Sequence, residues 1–401
     1  MIKLGLMGLS FKDPNRGCEA LTFTFLKMLQ EICEGVEYEV ICFRDTNDLG
    51  KIPEFFPNLK IRVHVLNIYS LSSWLAAYQK IKQLDVVFDG SYGDGFTGIY
   101  GTRRNGIQVL RKQIVYWAGK PLFLLPQTYG KYKFPFKTWS RKIIRNAKLA
   151  YARDDTAEMV WGCGVKTTSD MAFMLPYDKA LFSFEHGKKK FGINVSSLLW
   201  DEDTAGRFKM TVNYHQFYEQ LIDFLLSKTD YEIHLIPHVI DEKRYDAPEN
   251  DCRTCDELAA LFQRQVIVAP AFGSALEAKS YISNMNIFMG SRMHSTIAAI
   301  SSGVVTIPFS YCHKFESLYS RIGYPYVISA TKWTTNEALD QIKQWISKPE
   351  PLKEKGEVAM YRAKKDLLSF KEDLKMKIED LGLLMNLTNK KHDSLNGPVL
   401  L

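Results

Sequence analysis

The chain has 401 residues, which is long for one hydrophobic core and suits two domains of ordinary size. Hydrophobic residues make up 46% and charged residues 24%, a balance typical of folded globular proteins. The net charge of +7 is compatible with an anionic substrate or an anionic membrane face, whereas nucleic-acid binding would require a denser basic stripe in a recognisable module.

The chain has seven cysteines, an odd number, and its N-terminus lacks the pattern of an export signal. Both observations indicate a reducing compartment in which the thiols are free. The first residues, Met1 to Met7, form an apolar run that is short and predicts a strand. No apolar stretch approaches the roughly 18 residues of a membrane-spanning helix. We therefore predict a cytoplasmic protein without a membrane span, for which peripheral contact with the inner face of the cytoplasmic membrane stays open.

The first half of the chain alternates short apolar strands with helices of 3.6-residue periodicity. The predicted strands are Lys3–Leu9, Tyr38–Phe43, Ile61–Ile68, Asp85–Asp89, Pro121–Pro126, Leu149–Arg153 and Val165–Asp170. The predicted helices are Glu19–Ile32, Arg103–Ala118, Phe136–Ala147 and Asp154–Trp161. This alternation predicts an α/β domain over residues 1–175, with a mostly parallel sheet covered on both faces.

A segment containing Pro, Gly and Lys, Pro176–Lys190, predicts a linker, after which a second alternating set begins. Its predicted strands are Phe191–Ser196, Tyr231–Pro237, Val266–Ala269, Asn286–Ser291 and Val304–Pro308. They indicate a second doubly wound domain over residues 190–348, followed by a C-terminal helix and tail over 349–401 in which Lys353–Leu384 is amphipathic. Such domains bind ligands at the carboxyl ends of their strands, so we expect the two sets of loops to face a shared cleft.

A candidate anion site follows the strand Asn286–Ser291, in the segment Ser291-Arg292-Met293-His294-Ser295. Ser291 is placed to cap a helix that begins near Arg292, and the N–H groups and dipole of a helix start favour an anion. Arg292 adds a planar fork of donors, and His294 adds a group that titrates near neutrality. The alternative is a capped helix with an exposed arginine and a core histidine, and spacing alone does not separate the two.

Two further kinds of segment that follow a strand are candidate ligand-binding sites. In Arg153-Asp154-Asp155 either aspartate suits the N-cap of a helix, and Arg153 is left to reach across the cleft toward the same anion. The loops over residues 15–20 and 89–94 follow strands and contain glycines, which permit close approach to a ligand. Ordinary turns are the alternative for both, and neither matches the dinucleotide fingerprint, so an NAD-dependent enzyme ranks last.

Fainter candidates lie in the second half of the chain. His234 and His238 share one face of a strand, and we predict a core position for His234 and a position at the cleft for His238. Lys314 follows the last strong strand and is a further candidate contact for an anion. Cys252 and Cys255 form a lone CxxC pair that lacks the two additional ligands of a zinc site, so we predict two helical cysteines and no metal.

Several motifs between the first loop and about Gly323 resemble those of the polysaccharide pyruvyl transferase family. Asn15-Arg16-Gly17-Cys18-Glu19-Ala20 is similar to the family's Asn-x-Gly-Asp-Glu-Ala motif, with Cys18 in place of Asp. The other matching stretches are Asp85–Asp94, Leu125–Gly130, Arg153-Asp154-Asp155, Ser169-Asp170, Ile236-Pro237-His238, Lys314 and, most specific, Ser291-Arg292-Met293-His294-Ser295.

The resemblance implies a GT-B-like fold and a pyruvyl transferase that moves pyruvate from phosphoenolpyruvate onto a sugar of a cell-surface polysaccharide or its precursor. The product is a ketal across two hydroxyls, and phosphate is released. Phosphoenolpyruvate is then a co-substrate, and no cofactor or metal is implied. The acceptor would be a saccharide or a lipid-linked saccharide, and a homo-oligomer stays open.

The resemblance also assigns roles, with the donor expected on the C-terminal domain and the acceptor on the N-terminal domain. The expected catalytic residues are His294, Arg292 and Asp94. The expected donor-binding residues are Arg153, Ser291, Arg292, His294 and Lys314. The expected acceptor-binding residues are Asn15, Glu19, Asp94 and His238.

Two departures from the family pattern leave the acceptor less defined than the donor. Cys18 replaces an aspartate, and Ser91 and Tyr92 replace smaller residues in a glycine-rich run. The runner-up function is a GT-B glycosyltransferase with a nucleotide-sugar donor, in which Asp241 or Glu242 would bind the ribose. A non-catalytic scaffold that keeps the fold is a third alternative.

Overall fold

The computed structural model describes residues 1–184, 187–201 and 206–384. Within them the chain divides into two compact units. Unit 1 comprises Met1–Phe11, Leu21–Asp170 and the described residues from Lys365 onward, and unit 2 comprises Lys12–Ala20 and Met171–Lys364. The short segment 12–20 therefore packs with the second unit, although the sequence alone placed it in the first domain.

Unit 1 is built on a parallel sheet with the strand order β3-β2-β1-β4-β5-β6-β7. The strands are β1 (Ile2–Met7), β2 (Tyr38–Arg44), β3 (Lys60–Val65), β4 (Val86–Asp89), β5 (Leu122–Gln127), β6 (Leu149–Ala152) and β7 (Lys166–Thr167). The helices are α1 (Arg16–Ile32), which begins in unit 2, α2 (Ile52–Phe55), α3 (Leu71–Ile81), α4 (Thr102–Trp117) and α5 (Phe136–Asn146). Because both faces of the central strands are covered, β4 is fully buried and is apolar up to its last residue, Asp89.

The strand order of unit 1 reverses between β1 and β4, where Leu4 pairs with Val86 and Met7 with Asp89. Helix α4 packs against α3 on one side and α5 on the other. Buried side chains of these three helices, among them Ile81, Ile114 and Ile144, join one hydrophobic core with the sheet. The outer surfaces of α3, α4 and α5 consequently form one continuous helical layer.

Unit 2 contains a second parallel sheet with the order β10-β9-β8-β11-β12-β13. Its strands are β8 (Lys190–Asn194), β9 (Glu232–Leu235), β10 (Ile267–Val268), β11 (Ile287–Gly290), β12 (Val305–Ser310) and β13 (Ile328–Ser329). Its helices are α6 (Ser197–Trp200), α7 (Tyr214–Lys228), α8 (Asp251–Leu261), α9 (Ala275–Ile282), α10 (Met293–Ser301), α11 (His313–Ile322) and α12 (Thr335–Ser347). The strand order reverses between β8 and β11.

The C-terminal helix α13 spans Glu350–Asp380 and confirms the predicted helical segment, whereas the predicted tail over 385–401 lies outside the described residues. Two residues of the predicted linker, 185 and 186, also lie outside them. No helix of the described residues is long and apolar enough to cross a membrane.

Most strands lie within a few residues of their predicted positions, and the differences are local. The predicted strand Val165–Asp170 is only the two-residue β7, and the predicted helix Asp154–Trp161 is a 3₁₀ helix over Asp155–Val160. The strand β13 (Ile328–Ser329) was not predicted, because two residues carry no detectable alternation.

Candidate functional site

The segment Ser291–Ser295 lies at the point where the sheet of unit 2 changes direction. Gly290, the last residue of β11, pairs with Asn194, the last residue of β8. The Asn194 side-chain oxygen accepts a hydrogen bond from the Arg292 backbone N–H at 2.9 Å and from the Ser295 hydroxyl at 3.0 Å. Parallel α/β sheets bind ligands outside such switch points, so the fold places this segment where a ligand is expected.

The prediction that Ser291 caps the following helix is wrong. Helix α10 begins at Met293, and Arg292 occupies the N-cap position without a side-chain cap. The Ser291 hydroxyl is fully buried and lies 2.8 Å from the Tyr214 hydroxyl and 2.7 Å from the Tyr218 hydroxyl. Ser291 therefore ties the end of β11 to α7, which a sequence pattern cannot reveal because the tyrosines are more than 70 residues away.

Arg292 is held by the carboxylate of Asp251. Its Nη2 donates to Asp251 Oδ1 at 2.8 Å and to the Glu249 carbonyl at 3.0 Å, while its Nε lies 3.2 Å from Asp251 Oδ1. Burial opposes the charged guanidinium, yet Asp251 outweighs it, and the pKa of Arg292 lies above its usual value. The arginine is thus a fixed cation whose Nη1 has no hydrogen-bond partner among the described residues.

Asp251 organises the surrounding backbone as well. At 0% exposure its carboxylate accepts the N–H groups of Ser197, His238 and Val239 at 2.9–3.1 Å. It also accepts the Asn194 amide at 3.4 Å. Asp251 thereby connects the ends of β8, β9 and β11, and it is the most connected polar residue of the site that the sequence did not indicate.

The first loop pairs with the segment that contains His238. Asn15 bridges Val239, the Arg16 N–H donates to the His238 carbonyl at 3.2 Å, and the Ile240 N–H donates to the Pro14 carbonyl at 2.8 Å. The Asn15 side-chain oxygen accepts the N–H of the residue two positions on at 2.9 Å, which starts α1. Asn15 is therefore placed within unit 2, with its carboxamide oxygen turned to its own backbone.

Arg16 is almost entirely buried, at 1% exposure, and is saturated by acceptors. Its guanidinium donates to the Phe272 carbonyl at 2.6 and 3.0 Å and to the Asp13 carbonyl at 2.9 Å, and it lies 3.3 Å from the Glu242 carboxylate. Arg16 thus fastens the first loop to the rest of unit 2. This explains why segment 12–20 belongs to unit 2.

His238 is buried next to several cations. Burial lowers its pKa well below the usual value, and the charges of His294, Arg292 and Arg16 lower it further. The imidazole is neutral at pH 7, and its Nδ1 has no hydrogen-bond partner within the described residues. We refer to Arg16, His238, Arg292 and His294 as the Arg–His cluster.

His294 lies directly against the second residue of α1. A methyl group on Gly17 would lie 2.1 Å from His294 Nδ1 and 2.4 Å from its Cγ, which is far inside van der Waals contact. The start of α1 therefore approaches the imidazole as closely as a residue without a side chain allows. The absence of a side chain at Gly17, in the first motif, therefore leaves room for the imidazole of His294, in the last motif.

We expect Gly17→Ala to displace the His294 ring and to lower the free energy of unfolding by about 1–3 kcal/mol through overpacking. Urea unfolding measures the loss. The control is Gly356→Ala, also within a helix, where the new methyl group would lie 3.8 Å from its nearest neighbour and where alanine favours the helix. Equal unfolding midpoints for the two variants would contradict the contact.

Glu19 is buried beside the start of α9. Its Oε2 accepts the Ala275 N–H at 2.8 Å and lies 3.9 Å from Arg16 Nη1. Burial raises the pKa of Glu19 to about 8, although Arg16 and the Ala275 N–H act in the opposite direction. Glu19 is placed against a helix of its own unit, and its raised pKa favours the protonated carboxyl group at neutral pH.

This raised pKa predicts a pH dependence that Glu19→Gln removes. A carboxyl group with a folded pKa of about 8 and an ordinary value of 4.5 stabilises the fold below pH 4.5, and this contribution is lost as the pH rises through 8. Urea unfolding at pH 7 and pH 9 should show a larger loss for the wild type than for Glu19→Gln. Glu158→Gln, the same change at an exposed position, should follow the wild type.

The remaining candidate site residues of unit 2 lie in three different elements. Lys314 lies in the first turn of α11, which follows β12, the neighbour of β11. His234 is a core histidine as predicted, since its ring nitrogens lie 2.8 Å from the Tyr281 hydroxyl and 2.9 Å from Glu232. Asp241, a candidate for ribose binding, instead accepts two backbone N–H groups of its own turn at 3.1 Å.

Cys252 and Cys255 lie at the start of α8, as predicted, and both are free thiols. Glu242, the other candidate for ribose binding, forms ion pairs with Lys12 at 3.5 Å and with Arg16 at 3.3 Å. It therefore serves to hold the first loop within unit 2.

Asp94 and Arg153 come together in unit 1. Arg153 Nη1 donates to Asp170 at 2.8 Å, and its charge is also stabilised by Asp94 and Asp154. Asp94 accepts the Tyr100 hydroxyl at 2.7 Å. Of the two aspartates predicted as N-cap candidates, Asp154 is the cap, its side chain accepting the N–H of the residue two positions on. The ion pair with Asp170 was not expected.

The loop after β4 adopts an unusual backbone that the sequence did not indicate. Ser91, Tyr92 and Gly93 have φ values of 45°, 55° and 82°, a region that costs a residue other than glycine about 1–2 kcal/mol. Asp89 Oδ1 accepts the Ser91 N–H at 3.0 Å and its hydroxyl at 2.6 Å, and buried Lys112 lies 3.1 Å from the same oxygen. This network holds Ser91 and Tyr92 in a turn that suits glycine.

One known protein family matches the part of the chain that contains these residues. The family described as polysaccharide pyruvyl transferase matches residues 15–313, from the first loop to the start of α11. The chain belongs to this family. The matched stretch includes every residue of the Arg–His cluster, as well as Asp94 and Arg153. No curated protein matches the chain by sequence.

Solved structures show the same fold at low identity. A UDP-GlcNAc 2-epimerase from Neisseria meningitidis bound to UDP-GlcNAc has a TM-score of 0.61 and 11% identity, covering 93% of this chain and 99% of that one. A sucrose-phosphate synthase from Thermosynechococcus elongatus has a TM-score of 0.55 and 11% identity, covering 99% and 100%. The GT-B-like α/β class of this pyruvyl transferase family member is confirmed. At such identities the likeness concerns the fold alone.

Proposed function

We propose that the protein transfers pyruvate from phosphoenolpyruvate to two hydroxyls of a saccharide, forming a ketal and releasing phosphate. Membership of the polysaccharide pyruvyl transferase family supports the transfer of pyruvate in polysaccharide synthesis. The observation that carries the proposal is the Arg–His cluster at the switch point of the unit 2 sheet. It brings two arginines and two histidines together at the place where this fold class binds ligands.

The Arg–His cluster suits a small donor with a phosphate and a carboxylate. Arg292 is immobilised by Asp251 and keeps Nη1 for a ligand, which favours planar recognition of an oxyanion. Lys314 lies in the first turn after the adjacent strand β12 and is proposed as a second cation for the donor. For Arg153 we retain a donor contact as a prediction. Ser291 serves the donor indirectly, by fixing β11 against α7.

The chemistry requires one proton on the methylene carbon of phosphoenolpyruvate, attack of two hydroxyl oxygens on C2 and departure of phosphate. The two hydroxyl protons balance the reaction, because one ends on the new methyl group and the other on phosphate. We propose His294 as the acid and Arg292 as the group that stabilises the departing phosphate. His238, neutral and buried beside them, is proposed to take up a hydroxyl proton once a polyanion offsets the neighbouring charges.

We propose that the saccharide acceptor binds at residues of unit 1, with support from the first loop. Asp94 and its neighbour Arg153 form a polar group in unit 1 at the carboxyl end of β4, and Asp94 is our candidate for orienting a sugar hydroxyl. We propose supporting roles for Asn15 and Glu19, because their side chains start α1 and meet α9. We further propose a cytoplasmic reaction on a saccharide or a lipid-linked saccharide, with no cofactor or metal.

A thermal-shift comparison of phosphoenolpyruvate, UDP and GDP tests the donor. A ligand that binds only the folded state raises the melting temperature, by an amount that grows with concentration over its Kd. We expect stabilisation by phosphoenolpyruvate and none by the nucleotides, and Arg292→Ala should remove most of the shift. Stabilisation by a nucleotide alone would favour the glycosyltransferase, and no shift with any of them would favour a scaffold.

A further inference from the structure

The helical layer of α3, α4 and α5 in unit 1 carries a marked excess of positive charge. Residues 95–153 contain 13 Lys and Arg side chains and no Asp or Glu. The other residues hold 39 basic and 45 acidic side chains, a net charge of −6. The positive charge of the whole protein is therefore concentrated in one stretch of 59 residues, which includes α4 and α5.

Most of this charge is at the surface. Lys112 and Arg153 are buried, and the remaining basic side chains of the stretch are exposed or half-buried. None of these surface side chains forms an ion pair with a carboxylate of the described residues. On α5, Lys137, Arg141 and Arg145 recur every four residues, so they share one face of the helix, opposite the buried Ile143.

An apolar groove lies within the same layer, between α3 and α4. Its volume is about 410 Å³, and its lining is Leu71, Trp74, Leu75, Tyr78, Leu110, Ile114 and Trp117. Leu71 is 76% exposed and Trp117 58% exposed, which is unusual for large apolar side chains on one surface. At its rim, the Arg103 guanidinium lies 5.6 Å from the centre of the Tyr69 ring.

We propose that the outer surface of α3, α4 and α5 docks onto an anionic lipid bilayer. Aromatic and leucine side chains that flank basic residues are the combination that inserts at a bilayer interface, where the apolar groups enter the headgroup region and the cations attract anionic lipid. Charge complementarity selects this occupant, because the basic stretch contains no acidic residue to repel such a surface. Nucleic acid would account for the charge but not for the groove with its exposed leucines.

The docking does not depend on the proposed reaction and is measured without substrates. The full chain is sedimented with vesicles of phosphatidylcholine alone and of phosphatidylcholine with phosphatidylglycerol. We expect binding to the anionic vesicles, decreasing with salt as the screening length shortens. Each basic residue near such a surface changes the partition coefficient about fivefold.

Two variants separate the charge from the apolar groove. Lys137→Glu with Arg145→Glu should weaken binding to anionic vesicles by at least about 25-fold, since two favourable contacts are lost. Lys364→Glu with Lys375→Glu makes the same change of net charge on exposed positions of α13 and should leave binding within about threefold, the size of a long-range effect. Leu71→Ser with Leu75→Ser should also weaken binding, whereas Leu261→Ser with Met376→Ser, exposed apolar residues elsewhere, should not.

The outcomes decide the proposal. Equal losses in the test and control pairs, or no binding of the wild type to anionic vesicles, would overturn it. Binding of a single-stranded RNA oligonucleotide that is abolished by the Lys137 and Arg145 changes, without vesicle binding, would assign the surface to nucleic acid. Urea unfolding of every variant keeps a folding defect distinct from a loss of docking.

Discussion

Asp251→Ala is expected to lower the free energy of unfolding by about 3–5 kcal/mol, the cost of leaving a buried cation without its partner. Arg292 would keep its charge in a buried position with the Glu249 carbonyl as its remaining hydrogen-bond acceptor among the described residues. The N–H groups of Ser197, His238 and Val239 would lose their common acceptor as well. Urea unfolding followed by circular dichroism measures the loss.

A matched control lies on the same helix. Asp256 of α8 is half-exposed, and within the described part of the chain its carboxylate accepts the Tyr245 hydroxyl alone, at 2.6 Å, so Asp256→Ala should cost less than about 1 kcal/mol. Asp251→Asn keeps the size but not the charge and should recover only part of the loss. Comparable stability of Asp251→Ala and Asp256→Ala would show that the Arg292 pair does not hold the ends of the strands.

The second large effect concerns His294. If it supplies the proton to the donor, His294→Ala should lower turnover by about 10²–10⁴-fold, the usual range for a general acid or base. Because Arg292 and Lys314 are proposed to hold the donor, the thermal shift with phosphoenolpyruvate should persist. Turnover is measured as phosphate released from phosphoenolpyruvate with a panel of simple hexosides.

Two further variants are compared with His294→Ala. His64→Gln alters a histidine of the edge strand β3 in unit 1 and should leave turnover within about threefold, since it is outside the proposed machinery. Arg292→Ala should lose the thermal shift with phosphoenolpyruvate and should lower turnover as well, because Arg292 is proposed both to bind the donor and to stabilise the departing phosphate. Full turnover of His294→Ala with the donor still bound would exclude His294 as the acid.

The side chains in and around the Arg–His cluster differ in how fully the surrounding residues engage them. Arg16 is saturated by acceptors in unit 2 and Glu19 accepts the Ala275 N–H, which makes both residues fixed parts of the framework. Arg292 keeps one nitrogen, and His294 is only half-buried against Gly17. The family motif around residue 15 thus packs within unit 2, where Gly17 shapes the surroundings of His294.

The sequence by itself determined the α/β class, most strand positions and the junction at Ser291–Ser295, because these depend on local periodicity and on the change from strand to helix. It also placed His234 in the core and an N-cap at either Asp154 or Asp155. Only the tertiary structure decided which groups are engaged: Ser291 binds Tyr214 and Tyr218 instead of capping a helix.

Sequence patterns also could not reveal contacts between residues that are far apart along the chain. Asp251 lies 41 residues from Arg292, Arg16 lies 256 residues from Phe272, and nothing in the local pattern connects them. Parallel strands that are distant in sequence end at a common edge, so their loops meet only after the sheet has formed. Segment 12–20 joins unit 2 for this reason, through backbone pairing and a buried arginine whose acceptors are supplied by other parts of the chain.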